Sequence, residues 1–529
     1  MRELDIFPNR LVFSKDVGDQ VENQNLQIQV YGRRITKDQT FYEYLIEFLL
    51  LFIGEQNGKS GLDKIESYDS RLHYKYKSNI ALKRFIFLES SKKENRFDID
   101  EDANKLLCDE LKKNMASYGI REDDVIVMLR ELYEGFTAFS GDRGWFAKSL
   151  LPICKETIFP EAMGKVNVRR GLNLYKGQFI NIDVDKKFEF NEHNFMARGG
   201  EVYFLHILQG LKEIRDLKGE EEEQRLKNEL NIKLENLINS FPQLSLISGW
   251  IQGSWENILE ENLGQDYDQD ESKIKSSCKW ISNDYRKRSI FTVQELNNIL
   301  SVDINEFEKF EILSLGIVMQ ILRMMSEAAS IVATDGAFNH PIWMTHANSS
   351  NDDKKVKKIS SDAYKDIEEF MIIAVAKMLE NIEEIKKNKF RKKKDLSQTS
   401  LLNEAYNDSH KLLRKLGKDI GLIVPIKGDN MRFALNDNIV KFLVLSHVEP
   451  DKKITLDSFL RKIYDSFGLV IGPKEYDEHS REIGKFVDTS FLQYNLEEFQ
   501  QLLRKNGFLR ELSDATSIVV NPYGKIEVK

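Results

Sequence analysis

Cationic side chains are the groups in this 529-residue chain whose spacing points most directly to chemistry, and that chemistry is phosphate binding. Lys386, Lys387, Lys389, Arg391, Lys392, Lys393 and Lys394 put seven Lys or Arg into nine positions. Each phosphate neutralised by such a run releases counterions, so the run adds affinity for nucleic acid without reading sequence. It also fits a solvated helix end, where cations oppose the negative pole of the helix dipole. Arg504, Lys505 and Arg510 form a second group, on a helix and the strand that follows it, a placement suited to anchoring phosphates. Glu497, Glu498, Glu511 and Asp514 interleave with them and dilute the positive field.

Catalytic constellations are weaker. Asp183, Asp185 and Lys187 in INIDVDKKFEF loosely imitate the acid-and-lysine strand of a metal-dependent nuclease, and a two-stranded surface segment accounts for them as well. Glu327, Asp335, His340 and His346 are the acid and histidine group that comes nearest to a metal site, but NHPIWMTH has no recognised ligand spacing, so structural histidines are expected. Arg198-Gly199-Gly200-Glu201 precedes a helix whose free amides suit an anion. The chain has no GxxxxGK[ST] loop, so ATPase or GTPase chemistry is not predicted and the two glycines are read as a tight turn. It has no GxSxG elbow or HExxH helix either. Cys108, Cys154 and Cys278 are far apart and outside any CxxC spacing, which argues against a disulfide framework or thiolate zinc site. No catalytic residue, metal ligand or cofactor is predicted.

Composition sets the frame. Hydrophobic residues make up 41% and charged residues 31%, the balance of a folded chain, and the length calls for several cores. A net charge of -8 and a pI near 5.7 exclude a protein that is basic overall, so contact with nucleic acid must come from local patches. MRELDIFPNR lacks the apolar core of a secretory signal. The apolar runs at 44–53 and 312–325 fall short of the roughly 20 residues of a membrane span. Both are read as buried helices, and a cytoplasmic protein without membrane contact is expected.

These patterns predict a mainly α, multidomain protein with small β elements (α+β). Residues 1–134 read as an N-terminal α+β domain, with strands in LQIQVYG (26–32) and across 71–89 and a helix between them. Residues 135–270 read as an irregular segment followed by helices, including one at 195–211. Residues 271–395 read as a helical domain with a linker at 349–361 and a helix at 362–389 that ends in the basic run. In residues 396–529 a helix at 402–416 precedes a hairpin around Gly428-Asp429-Asn430. Two helices follow, the second capped by Thr455 and stopped by Gly468, and then a short strand at 469–471. The helix LEEFQQLLRKNG then runs into FLREL and SIVVNPY around Ser513-Asp514-Ala515, the helix-plus-wing pattern of one or two winged-helix-like modules.

FMARGGEVYFLHILQGL, together with RFALNDNIVKFLVLSHVEP followed by SFLRKIYDSFGLVIG, resembles accessory subunits encoded beside helicases, ATPases or modification enzymes in prokaryotic anti-phage defence and DNA restriction systems. The resemblance implies a partner-dependent role and carries over no catalytic residue. The expectation is a non-catalytic assembly or nucleic-acid-binding subunit that engages protein partners, a motor or effector, and DNA. A divergent metal-dependent nuclease and a winged-helix transcription regulator are the alternatives.

Overall fold

The apolar stretch at 312–325 lies inside a 28-residue helix, Glu306–Ala333, started by the Asn305 side chain, which accepts a bond from the Phe307 amide. This helix is long and apolar enough to cross a membrane, but 94% of its most apolar window is buried within the protein. It is the core helix that its sequence predicts.

The computed structural model describes residues 5–8, 26–35, 41–77, 79, 81–82, 85, 98–116, 121–137, 153–158, 198–262, 273–347, 353–381, 397–485, 488–511 and 517–526. Helices dominate. In chain order they are α1 (Leu26–Tyr31), α2 (Phe41–Ile53), α3 (Asp98–Ala116), α4 (Glu122–Thr137), α5 (Gly199–Lys218), α6 (Glu220–Ile238), α7 (Pro242–Asn257), α8 (Ser289–Ser301), α9 (Glu306–Ala333), α10 (Lys354–Lys377), α11 (Gln398–Asn407), α12 (His410–Asp419), α13 (Asp437–His447), α14 (Leu456–Phe467), α15 (Pro473–Glu482) and α16 (Leu492–Lys505). The strands are β1 (Ile6–Phe7), β2 (His73–Lys77), β3 (Lys273–Ser277), β4 (Ile281–Ser282), β5 (Trp343–His346), β6 (Ile423–Val424), β7 (Arg432–Ala434), β8 (Lys453–Thr455), β9 (Leu469–Val470), β10 (Leu509–Glu511) and β11 (Ser517–Val520).

One hydrophobic core runs from Phe7 and α1 through α2, α5, α8, α9 and α10 to Val519 on β11. A second joins α3, α4 and α7 through Leu107, Leu111, Val125, Leu129 and Trp255. β1 pairs with β4 and β2 with β3, both antiparallel, tying the first part of the chain to residues 273–282. In a four-stranded sheet of order β6-β7-β5-β9, the hairpin β6-β7 is antiparallel and β5 runs parallel to both β7 and β9. Near the C-terminus β8, β11 and β10 form an antiparallel sheet in that spatial order.

Several local expectations change. LQIQVY is a helix, not a strand: Gln27 and Gln29 are buried along with the apolar residues, and the Gln27 amide bonds to the backbone of Ile35, so its alternation does not mark a half-exposed strand. Within 71–89 the described strand is His73–Lys77, whereas Ala81, Leu82 and Phe85 are helical. Residues 354–361, read as linker, are the start of α10, because Asp353 caps the amides of Lys355 and Val356, and Val356, Ser360, Tyr364 and Ile367 form its buried stripe. Residues 402–416 are two helices, broken at Asp408-Ser409.

Gly199 and Gly200 lie in the first turn of α5 and serve packing, not a turn. A Cβ on Gly200 would come within 2.2 Å of the Tyr44 carbonyl oxygen, and one on Gly210 within 2.3 Å of that of Ser289, so α5 seats against α2 and α8 only through glycine.

Candidate functional site

α16 is positioned by an apolar stripe. Leu492, Phe499 and Leu503 are buried, and Phe499 stacks on Phe459 of α14 with ring planes 4° apart. Asn495, buried on the same stripe, accepts from the Ala347 amide at 2.9 Å and donates to the carbonyls of Thr345 at 2.9 Å and Ile471 at 2.8 Å. A single side chain thus fastens α16 to the ends of β5 and β9. After Lys505 the chain turns at Gly507, φ 76°, and enters β10, which pairs with β11, which in turn pairs with β8 just ahead of α14. Thr455 caps α14 and Gly468 ends it in a left-handed conformation, as their sequence positions predict.

The outward face of α16 carries Gln493, Tyr494, Glu497, Gln501, Arg504 and Lys505. Its cations are held by neighbouring acids. Arg504 pairs with Glu511 of β10, and Lys505 lies 3.2 Å from Asp437 at the start of α13. Hydrogen bonds from Asn506 and then Lys505 hold the Asp437 carboxyl below its usual range. Arg510 is exposed on β10. Beside this face a cleft of about 440 Å³ opens between Leu435, Asn436 and Asp437, Ala347 after β5, and Glu498, Gln501, Leu502 and Lys505 of α16. The surface is therefore mixed in charge and partly apolar.

No family model, curated protein or solved structure matches the chain.

Two buried polar networks lie beneath the C-terminal elements. In the first, Glu295 of α8 accepts from Ser466 and from Gln320, each at 2.5 Å, and Gln320 accepts in turn from Tyr285. His447 Nε2 lies 3.6 Å from Glu295. Burial pushes the Glu295 carboxyl up to about 8 and the His447 imidazole down to about 4, so both are neutral at pH 7. In the second, Glu327 receives Arg288 and, at 3.1 Å, Arg323. The same guanidiniums reach His340 Nδ1 at 2.5 and 3.0 Å, and Arg323 also donates to the Pro341 carbonyl. Burial and those two cations press the His340 imidazole far below its ordinary range. The first network joins α8 and α9 to α13 and α14, and in the second Arg288, just ahead of α8, also donates to the Asp465 carbonyl of α14. Both networks are fasteners of the fold.

His346 sits on β5, away from the Arg323–Glu327–His340 network, and among the described residues no three His, Cys, Asp or Glu form a metal-binding group. The anion position at the start of α5 is taken from inside: Glu47 accepts from the amides of Arg198 at 3.1 Å and Gly200 at 2.7 Å. Burial, and then Glu201, raise the Glu47 carboxyl well above its usual range. Lys386, Lys387, Lys389, Arg391, Lys392, Lys393 and Lys394, with Asp183, Asp185, Lys187 and the turn Ser513-Asp514-Ala515, lie outside the described residues. Sequence reasoning missed Asn495, whose polar side chain sits on an otherwise apolar stripe. It also missed the Glu295 network, whose members share no spacing.

Proposed function

We propose that the protein is a non-catalytic subunit of a multi-protein prokaryotic antiviral defence complex. Its C-terminal winged-helix-like module docks a motor or effector partner, and the basic run at 386–394 contributes affinity for DNA. The order α13, β8, α14, α16, β10, β11, with β11 between β8 and β10, supports a winged-helix reading of residues 437–520, with β9 and α15 inserted. The defence role rests on the resemblance of the three quoted segments.

The observation that carries docking over base reading is the charge balance of α16. Arg504 and Lys505 are each engaged by an acid, and Glu497 and Glu498 lie on the same helix. A helix that enters a DNA groove meets a dense row of phosphates and gains from unopposed cations. A face that mixes Tyr494, Gln501, Leu502 and paired charges is suited instead to a protein partner.

The test is co-expression with the products of neighbouring genes. Tyr494→Ala combined with Gln501→Arg is expected to abolish co-purification of one partner while the protein stays folded. Unchanged co-purification would overturn docking through α16.

A further inference from the structure

α12 carries a cationic face outside the α16 module. Its sequence, HKLLRKLGKD, sets Lys411, Arg414, Lys415 and Lys418 at i, i+3, i+4 and i+7, so the four share one side of the helix. Leu412, Leu413, Leu416 and Gly417 occupy the other side and are buried. From Lys411 to Lys418 the helix rises about 10.5 Å.

This helix is held firmly. At its start, Tyr31 of α1 bonds to Ser409 at 2.5 Å, and the Gln27 amide donates to the Asp408 carbonyl. Arg34 binds Glu404 at 2.5 Å and Asp408 at 3.1 Å, so these two acids are engaged by another cation. At its end, Gly417 lies flush on the β6-β7 hairpin, where a Cβ would sit 2.3 Å from Ile423. Lys418 donates to the Ile426 carbonyl at 2.9 Å, which brings the exposed Ile426 and Lys427 at the hairpin tip beside the helix. Arg414 is shared with Glu368 of α10 at 2.5 Å, and Asp419 and Asp429 are the acids that follow on the helix and the tip.

We propose that this face of α12, with Lys427, binds the phosphate backbone of duplex DNA without reading its sequence. Lys411 is exposed and Arg414, Lys415 and Lys418 are half-exposed along one side of this firmly held helix, in a chain of net charge -8. The matching partner is a surface with regular, closely spaced negative charge. Duplex DNA carries one charge per roughly 1.7 Å of axis, so about six lie along the span of the stripe. Because the rest of the protein is acidic, binding is short-ranged and falls steeply with salt.

The test uses the full chain and a labelled duplex of about 30 bp, titrated by fluorescence anisotropy between about 50 and 200 mM salt. The variant Lys411→Glu, Lys415→Glu, Lys418→Glu leaves the Arg414–Glu368 pair in place and is expected to weaken binding at least about tenfold and to flatten the log–log salt slope by about 2 to 3. The control Lys105→Glu, Lys113→Glu, Lys218→Glu makes the same change in charge on α3 and α5 and is expected to stay within about threefold of the parent. Should charge reversal disturb folding, the glutamine versions at 411, 415 and 418 give a smaller loss in the same direction. Equal losses in the stripe and control variants, unchanged binding by the stripe variant, or binding of polyglutamate in place of duplex would each overturn the proposal. Docking through α16 is read by co-purification, so either inference can fail without the other.

Discussion

Glu295→Gln tests whether a neutral carboxyl links the helical body to the C-terminal elements. In the folded protein the carboxyl is buried and raised to about 8, against an ordinary value of 4.5. Folding therefore favours its protonated form. The stability this contributes is fully present below pH 4.5 and is lost as pH rises through 8, because the unfolded chain has released the proton and the folded one has not. At about 1.4 kcal/mol per pH unit, the full span amounts to about 5 kcal/mol. Glutamine reproduces the protonated form: its oxygen can accept from Gln320 and its amide face Ser466 and His447, so Glu295→Gln removes the titration and keeps the shape. His206, His340, His346, His410, His447 and His479 are shifted downward, and each raises stability as pH climbs from its folded-state value toward 6.5. Those not in contact with residue 295 cancel in the difference; His447, 3.6 Å from Glu295, completes its rise by about pH 6.5, so the comparison between pH 7 and 8 reads Glu295 itself. The assay is urea denaturation of parent and variant at pH 5, 6, 7 and 8. The parent is expected to lose stability relative to Glu295→Gln at each step up to pH 8. Parallel profiles would refute a buried neutral Glu295.

Asn495→Ala strips partners from the Ala347 amide and the Thr345 and Ile471 carbonyls, at about 1 kcal/mol each, so a loss of about 3 kcal/mol and faster amide exchange in α16 are expected, checked by denaturation and hydrogen exchange. Gly200→Ala forces a methyl against the Tyr44 carbonyl and is expected to cost about 1 to 3 kcal/mol or prevent folding, whereas Gly253→Ala, with open space around its Cβ position, changes stability by less than about 1 kcal/mol in the same thermal melt.

Features with a local cause were legible in the sequence. Thr455 and Gly468 bound α14 because capping and left-handed termination depend on one residue each. The hairpin β6-β7 follows from its turn, and α9 from a long, largely apolar run. Features assembled across the chain were not. β5 and β9 are short strands whose pairing, Trp343 opposite Leu469, depends on tertiary contact, and neither segment is long enough to advertise it. LQIQVY carries a strand's alternation, but burial of both glutamines decides for a helix. Of the proposed nucleic-acid residues, Arg504, Lys505 and Arg510 fall where the helix-and-strand reading puts them, but their acidic partners come partly from elsewhere: Asp437 reaches Lys505 from the start of another helix. The α12 stripe is written plainly in HKLLRKLGKD, but it emerges only when residues 402–416 are divided at Asp408-Ser409.

The central claim, that α16 docks protein while affinity for DNA resides elsewhere, is tested most directly by duplex binding of two variants of the full chain in one salt series. Arg504→Glu, Lys505→Glu, Arg510→Glu is expected to bind DNA within about threefold of the parent. Glutamine at Lys386, Lys387, Lys389, Arg391, Lys392, Lys393 and Lys394 is expected to weaken binding at least about tenfold, with a shallower salt slope. The opposite ranking, with the α16 variant losing DNA and the neutralised run keeping it, would contradict the account.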